Sequence, residues 1–346
     1  MVLVTCLALL LWQGQTTPQV FAEAARALQA NHLPEAEAGF REVLRREPDN
    51  LGALGNLGVL YSRQSKPALA IETYERALRL APNEPGLLLN LGLAHLKLDD
   101  YAKAKPLFAR LSTPQARELH AICQLQTGEV AAATAALEQL APTPAVYHFL
   151  SLAYVKQKDM ARAEATLAKL YSVLPAAEAH YLEGRVWYDA ALFDKALASF
   201  VQSGHALETG KTLISLRRSA EAVAALRRAL VDNPNDVEAQ YFLGALLVQE
   251  SDPKAALPLL TSVSTARPDL WGTHYYLGKA QLLLGNAKAA LPLLETAAKR
   301  APDEASVHYQ LGRAFQALGR AADAKLAFAK VAKLQRQANN ESIMMK

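Results

Sequence analysis

Three pentapeptides within Val237–Arg336 share one pattern. Gln240–Gly244 reads QYFLG, His274–Gly278 reads HYYLG and His308–Gly312 reads HYQLG, with the glycines 34 residues apart. Twelve residues after each glycine stands Ala256, Ala290 or Ala324, and four residues later Leu260, Leu294 or Phe328. Pro234, Pro268 and Pro302 punctuate the same period. A fixed period of this length is the signature of stacked structural units. The small residues have a physical reason to be small, because two antiparallel helices must approach closely where they stand. The apolar residues flanking them fill the space between neighbouring units. The pairs Pro234-Asn235, Pro268-Asp269 and Pro302-Asp303 are expected to stop one helix and to N-cap the next.

This spacing resembles the tetratricopeptide repeat, a helix–turn–helix unit of about 34 residues. The resemblance implies an all-α chain, a right-handed α-solenoid of about ten such units. Worked outward, the units cover about 17–338. The first, about 17–50, carries Ala36, Phe40, Val43 and Pro48, with Ala24 in the glycine slot. The second, 51–84, matches at Leu54, Leu57-Gly58, Tyr61, Ala70, Tyr74, Ala77 and Pro82, and Gly92, Ala104 and Phe108 continue the third. The phase then slips near 111–118. A fourth unit, about 114–143, has Ala121, Ala133 and Leu137; a fifth, about 144–176, has Leu150-Ser151, Tyr154, Ala163, Leu167 and Pro175. The sixth, about 177–202, has Gly184, Trp187, Ala196 and Phe200. A second slip falls at 201–208, where Gly210 follows Gly184 by only 26 residues. Ser203-Gly204 is expected to make a tight link there, and the next first helix to lose about a turn. Pro106, Pro258 and Pro292 share one slot early in second helices and predict a mild kink rather than a break. Asn339–Lys346 is read as a tail.

The chain of 346 residues is 51% hydrophobic, which suits units that each bury one face on a neighbour. Net charge is only +4, so the whole chain is no polyanion binder. Residues 267–346 hold 12 Lys/Arg against 6 Asp/Glu, a basic end that is either a solvated surface or a contact for an acidic partner. Val2–Trp12 is an apolar run too short to span a bilayer. It reads as the core of a signal peptide over 1–16, although no basic residue precedes it. That reading predicts a periplasmic or secreted chain of the bacterial envelope type; the alternative is a cytoplasmic protein with an apolar extension. No transmembrane span is expected. The two cysteines, Cys6 and Cys123, do not identify a compartment.

No phosphate-binding loop, dinucleotide fingerprint, HExxH or GxSxG appears. His180, His274 and His308 share one slot, but equivalent slots lie about 10 Å apart, too far to share an ion held by bonds of about 2 Å. They are read as packing residues, and no cofactor or metal is expected. No carboxylates are placed for acid–base work: Asp99-Asp100 and Asp303-Glu304 stand at helix starts.

The resemblance implies that first helices line a concave groove for peptides. The residue three before each small residue and the residue just after it are four apart, so both lie on one helix face. In the C-terminal half these slots hold Tyr181/Arg185, Leu207/Lys211, Tyr241/Ala245, Tyr275/Lys279 and Tyr309/Arg313; in the N-terminal half, Gly55/Val59, Leu89/Leu93, Glu118/Ile122 and His148/Leu152. An apolar early groove thus precedes a tyrosine-and-cation late one. Tyr181, Arg185, Lys211, Tyr241, Tyr275, Lys279, Tyr309 and Arg313 are the candidate partner-binding residues, for a protein or peptide with acidic groups. The same tyrosines are also what a half-buried helix face carries with no partner at all. The expected function is a non-catalytic interaction scaffold. The alternatives are a recognition subunit of an enzyme complex and a helical-repeat nucleic-acid binder; the near-neutral charge of most of the chain disfavours the latter.

Overall fold

The computed structural model describes residues 14–344, so Val2–Trp12, on which the signal reading rests, lies outside the described residues. Among the described residues there are twenty helices of eight residues or more, one single-turn helix and no strand. They form two compact units that divide after Leu174.

The first unit holds five helix pairs: α1 (Thr17–Gln29) with α2 (Leu33–Arg46), α3 (Leu51–Arg63) with α4 (Pro67–Leu80), α5 (Pro85–Leu96) with α6 (Tyr101–Phe108), α7 (Pro114–Gln126) with α8 (Val130–Glu138), and α9 (Pro144–Lys156) with α10 (Met160–Ala168) and the single turn α11 (Leu170–Val173). The second holds five more: α12 (Ala176–Asp189) with α13 (Phe193–Ser203), α14 (Ala206–Ser215) with α15 (Ser219–Asp232), α16 (Val237–Gln249) with α17 (Pro253–Ala266), α18 (Trp271–Leu283) with α19 (Ala287–Arg300), and α20 (Ala305–Ala317) with α21 (Ala321–Met344). Within each unit a helix packs on its pair partner and on the next pair.

The small-to-large spacing explains the packing inside each pair. A methyl group built on Gly92 would stand 2.5 Å from the Phe108 ring; on Gly244, 2.7 Å from Leu260 Cγ; on Gly278, 2.5 Å from Leu294 Cγ. Gly58 meets Tyr74, Gly184 meets Phe200, Gly210 meets Leu226 and Gly312 meets Phe328 in the same way. Each large residue lies sixteen positions after its glycine. Ala24/Phe40, Ala121/Leu137 and Ser151/Leu167 occupy the same slots where no glycine is present. Phe40, Phe108, Leu260 and Leu294 are fully buried. Burying each such side chain contributes about 1.5–3 kcal/mol.

The turn inside every pair has one geometry. Asn31, Ser65, Asp99, Lys158, Ala191, Arg217 and Ser251 take positive φ, as do Gly128, Gly285 and Gly319, one in each of the ten turns. The next residue's N–H then bonds the carbonyl five positions back, as in His32 to Ala27 at 2.8 Å, Leu192 to Trp187 at 2.8 Å and Arg320 to Phe315 at 2.9 Å. That 6→1 bond satisfies a helix-end carbonyl that would otherwise be orphaned.

Both phase slips are visible. The helix α6 ends early at Phe108, and Gly204, at φ 75°, caps α13 so tightly that only His205 precedes α14. Gly210 is preceded by four helical residues in α14 and Gly244 by seven in α16, the expected loss of a turn. The helices α6, α17 and α19 run through Pro106, Pro258 and Pro292 without a break.

Two expectations need correction, and one irregularity was not expected. Asn235, Asp269 and Asp303 are not the N-caps. Asp236 caps α16, accepting from the backbone of Glu238 and Ala239 at 3.0 Å, and Leu270 and Glu304 stand at the other two starts with no side-chain cap. The helices begin one residue later than the Pro-Asp reading placed them, so Asp269 pairs with Arg267 at 3.2 Å and Asp303 with Lys330 at 3.6 Å. The fifth pair's second helix is interrupted between Ala168 and Leu170. The last helix passes the boundary at Asn339 and runs to Met344.

Candidate functional site

The eight candidate side chains all belong to first helices of the second unit, where α16, α18 and α20 lie side by side. They do not form one uniform ladder. Their environments divide them into two clusters joined by tyrosines that bridge neighbouring pairs.

The first cluster surrounds a cavity of about 400 Å³ lined by Tyr181, Arg185, Tyr188, Asp189, Phe200, Glu208, Lys211 and Glu238. The Tyr181 ring lies 4.3 Å from the His205 ring, brought there by the short link, and 6.1 Å from Phe200. Burial acts against the Arg185 charge, but the Tyr181 hydroxyl, and then Asp189 and Glu208, raise its pKa overall. Lys211 is not a free cation: its Nζ lies 2.6 Å from Glu238 and 5.5 Å above the Phe242 ring. The cations read from the sequence are here, but with three carboxylates among them. Asp189, four residues after Arg185 on the same helix face, was readable from spacing; Glu208 and Glu238 come from other pairs and needed the stacking.

Tyr241 is half-buried. Its hydroxyl occupies the space a side chain at Gly272 would need, and burial, followed by Tyr276, pushes its pKa to about 12. Its ring contacts Tyr276 at 6.0 Å, so it joins α16 to α18. Tyr275 does the same one pair on: burial first, then Tyr276, raises its pKa, against hydrogen bonding with Ser306 and Gln310 on α20. These two tyrosines are packing residues more than contact residues. Tyr309 is different, 49% exposed with its ring 5.8 Å from Phe328.

The second cluster is Lys279 and Arg313, in equivalent slots of α18 and α20. Burial, and then the charge of Arg313, lower the Lys279 pKa. Among the described residues no carboxylate forms an ion pair with either, and Arg313 is exposed. Two like charges held together without a counter-ion are able to accept a carboxylate or phosphate.

In the first unit, Gly55 and Val59 line a shallow groove of about 330 Å³ with Leu51, Gly52, Leu87 and the polar Asn56 and Asn90. Leu93 joins Val59 in an adjoining hollow of about 230 Å³. Asn56 and Asn90 stand one period apart, in a slot next to the glycine-flanking ones. His148 is buried and Glu118 half-buried, its pKa raised by burial.

The histidine slot has a structural use. Gln240, His274 and His308 bond the carbonyls of Pro234, Pro268 and Pro302, each six residues back, at 2.8, 2.9 and 2.7 Å. His180 instead lies 3.4 Å from Glu183. Among the described residues no group of His, Cys, Asp or Glu is arranged to hold a metal ion, and no helix is long and apolar enough to cross a membrane.

Comparison with known proteins gives one consistent match. A family model described as tetratricopeptide repeat matches residues 21–85, 207–270 and 274–341, and two further models of that description match 87–113 and 144–175. A 66-residue segment is 36% identical to the photosystem I assembly protein Ycf3 of Synechococcus sp. (strain CC9605); it amounts to 18% of this chain and 38% of that protein. Among solved structures, MamA 41-end from Desulfovibrio magneticus RS-1 is similar at 23% identity and a TM-score of 0.44, covering 47% of this chain and 97% of that one. A structure of MamA AMB-1 gives 25% identity and a TM-score of 0.41, covering 45% and 96%.

Proposed function

This chain belongs to the tetratricopeptide-repeat family, and from that premise we propose that its second unit is a non-catalytic scaffold that holds a partner protein against its first helices. The observation that carries the reading is the pair Lys279 and Arg313. Cations are normally kept apart or neutralised, because bringing like charges together while removing water costs free energy. Here both are presented on one face without a carboxylate partner. The missing counter-ion is supplied by an acidic group on the partner, with Tyr309 giving exposed aromatic surface beside it. The apolar run Val2–Trp12 supports export of the chain, so the partner is sought in the envelope.

The test is affinity capture from envelope extract of the native host with the full chain as bait, set beside the double variant Lys279→Ala/Arg313→Ala. Arg313 is exposed, where a charge contributes little to stability, and removing Lys279 takes away a charge that burial already disfavours, so the variant should melt close to the parent and lose its partner at least in part. A variant that retains the same partner in the same yield makes these residues structural and removes the assignment. Binding to single-stranded RNA with a steep salt dependence, in place of a protein partner, would favour a nucleic-acid reader instead.

A further inference from the structure

We infer that the cavity between α12, α14 and α16 accepts the positively charged end of a lysine or arginine side chain from the partner, the opposite sign to the contact at Lys279 and Arg313. The inference rests on the scaffold reading above for the origin of that side chain, but the pocket chemistry stands by itself.

Charge decides the sign. Lys211 and Glu238 neutralise each other at 2.6 Å. What remains around the cavity is Arg185 against Asp189 and Glu208, one negative charge in excess. Neither of those carboxylates forms an ion pair among the described residues. The walls decide the shape. Tyr181 and Tyr188 both pack against the buried Phe200, at centroid distances of 6.1 and 6.4 Å. Aromatic faces attract cations and cover the methylenes of a long side chain, while the carboxylates accept its N–H bonds. About 400 Å³ is room enough for such a side chain. An incoming carboxylate would meet the excess negative charge of Asp189 and Glu208 instead.

Arg185 is then a competitor already in the pocket rather than a ligand contact. The field of Asp189 and Glu208 on its guanidinium is the field the pocket offers a guest. Removing it should therefore strengthen binding of a cation, whereas an acid-binding site would be weakened by the same change.

The probes are Nα-acetyl-lysine methylamide, Nα-acetyl-arginine methylamide and Nα-acetyl-glutamate methylamide. Each is titrated into the full chain carrying ring-labelled tyrosine and followed by NMR, with Tyr188→Phe to assign one signal. The lysine or arginine probe should give saturable shifts at Tyr181 and Tyr188. Asp189→Asn/Glu208→Gln should weaken that binding about tenfold, the loss of one charge-assisted hydrogen bond. Arg185→Met should strengthen it, and Lys279→Ala/Arg313→Ala should leave it unchanged. Saturation by the glutamate probe, weakening by Arg185→Met, or no shift at either tyrosine with any probe overturns the inference. If partner capture still depends on Lys279 and Arg313 in that event, the pocket assignment alone falls and the scaffold reading stands.

Discussion

Gly278→Ala should destabilise the protein, and Leu294→Ala should convert it into a stabilising change. The new methyl would stand 2.5 Å from Leu294 Cγ and 2.8 Å from Cδ2, with the Ala290 carbonyl oxygen at 3.3 Å. Carbon atoms pack best at about 3.5–4.0 Å, so Leu294 must retreat by about 1 Å although it is fully buried. Overpacking of this kind costs about 1–3 kcal/mol. Replacing a helical glycine returns about 0.5–1 kcal/mol, which leaves a net loss of about 0–2.5 kcal/mol, centred near 1. Leu294→Ala alone should cost about 2–5 kcal/mol through lost burial and the cavity left behind. In that background the Leu294 clash is gone and only the 3.3 Å contact with the Ala290 carbonyl remains, so the double variant should be more stable than Leu294→Ala, by up to about 0.5–1 kcal/mol. Urea unfolding followed by circular dichroism measures the cycle. Hydrogen exchange should show protection lost in α18, α19 and α20 but kept in α3 and α4, because contacts in such arrays are nearest-neighbour. Equal losses from Gly278→Ala in both backgrounds, or protection lost throughout, would refute the close approach on which the register rests.

Arg217 holds φ at 59°, a conformation costing an L-residue about 1–2 kcal/mol; Arg217→Gly should therefore raise stability by about 0.5–1 kcal/mol net of glycine's chain entropy, as a higher urea midpoint would show. Glu42 is buried and its pKa lies at about 2 against an ordinary 4.5, through the Arg45 hydrogen bonds above all, opposed by burial and assisted by Arg46. Because the folded value is depressed, its stabilisation is complete above about pH 4.5 and is lost as pH falls towards 2. Allowing for the exposed Arg45, that is on the order of 1–2 kcal/mol, and Glu42→Gln should flatten this part of the pH–stability curve. N-terminal sequencing of protein from the native host should find a start between Gly14 and Phe21; an intact Val2–Trp12 on a cytoplasmic protein ends the export reading.

The pairing of small and large residues was legible because one packing constraint recurs at one spacing, and even the slips at 111–118 and 201–208 show as changes of period. The turns were not legible in the same way. Seven of the ten left-handed positions hold Asn, Ser, Asp, Lys, Ala or Arg rather than glycine, since the 6→1 bond and the following helix impose the conformation on whatever residue is there. The caps failed by one residue, because a Pro-Asp pair fixes where a helix stops more tightly than where the next one starts. At the site, four-residue spacing put Tyr181 and Arg185 on one face, and both line the same cavity. It said nothing of Glu208 or Glu238, which reach the same cavity from other helix pairs.

The sixteen-residue spacing of glycine and large apolar partner also bears on how the chain forms. Every pair closes on residues already close in sequence, and ties to the preceding pair are short too: Arg63 reaches the Leu28 carbonyl at 2.8 Å and Lys97 the Ser62 carbonyl at 3.1 Å, each 35 positions back. Contact order within a unit therefore does not rise as pairs are added, and low contact order goes with fast folding. On the ribosome, where chains emerge at about 5–20 residues per second, each pair has its partners within a few seconds of synthesis, and no exposed helix face waits for a distant segment before it is covered.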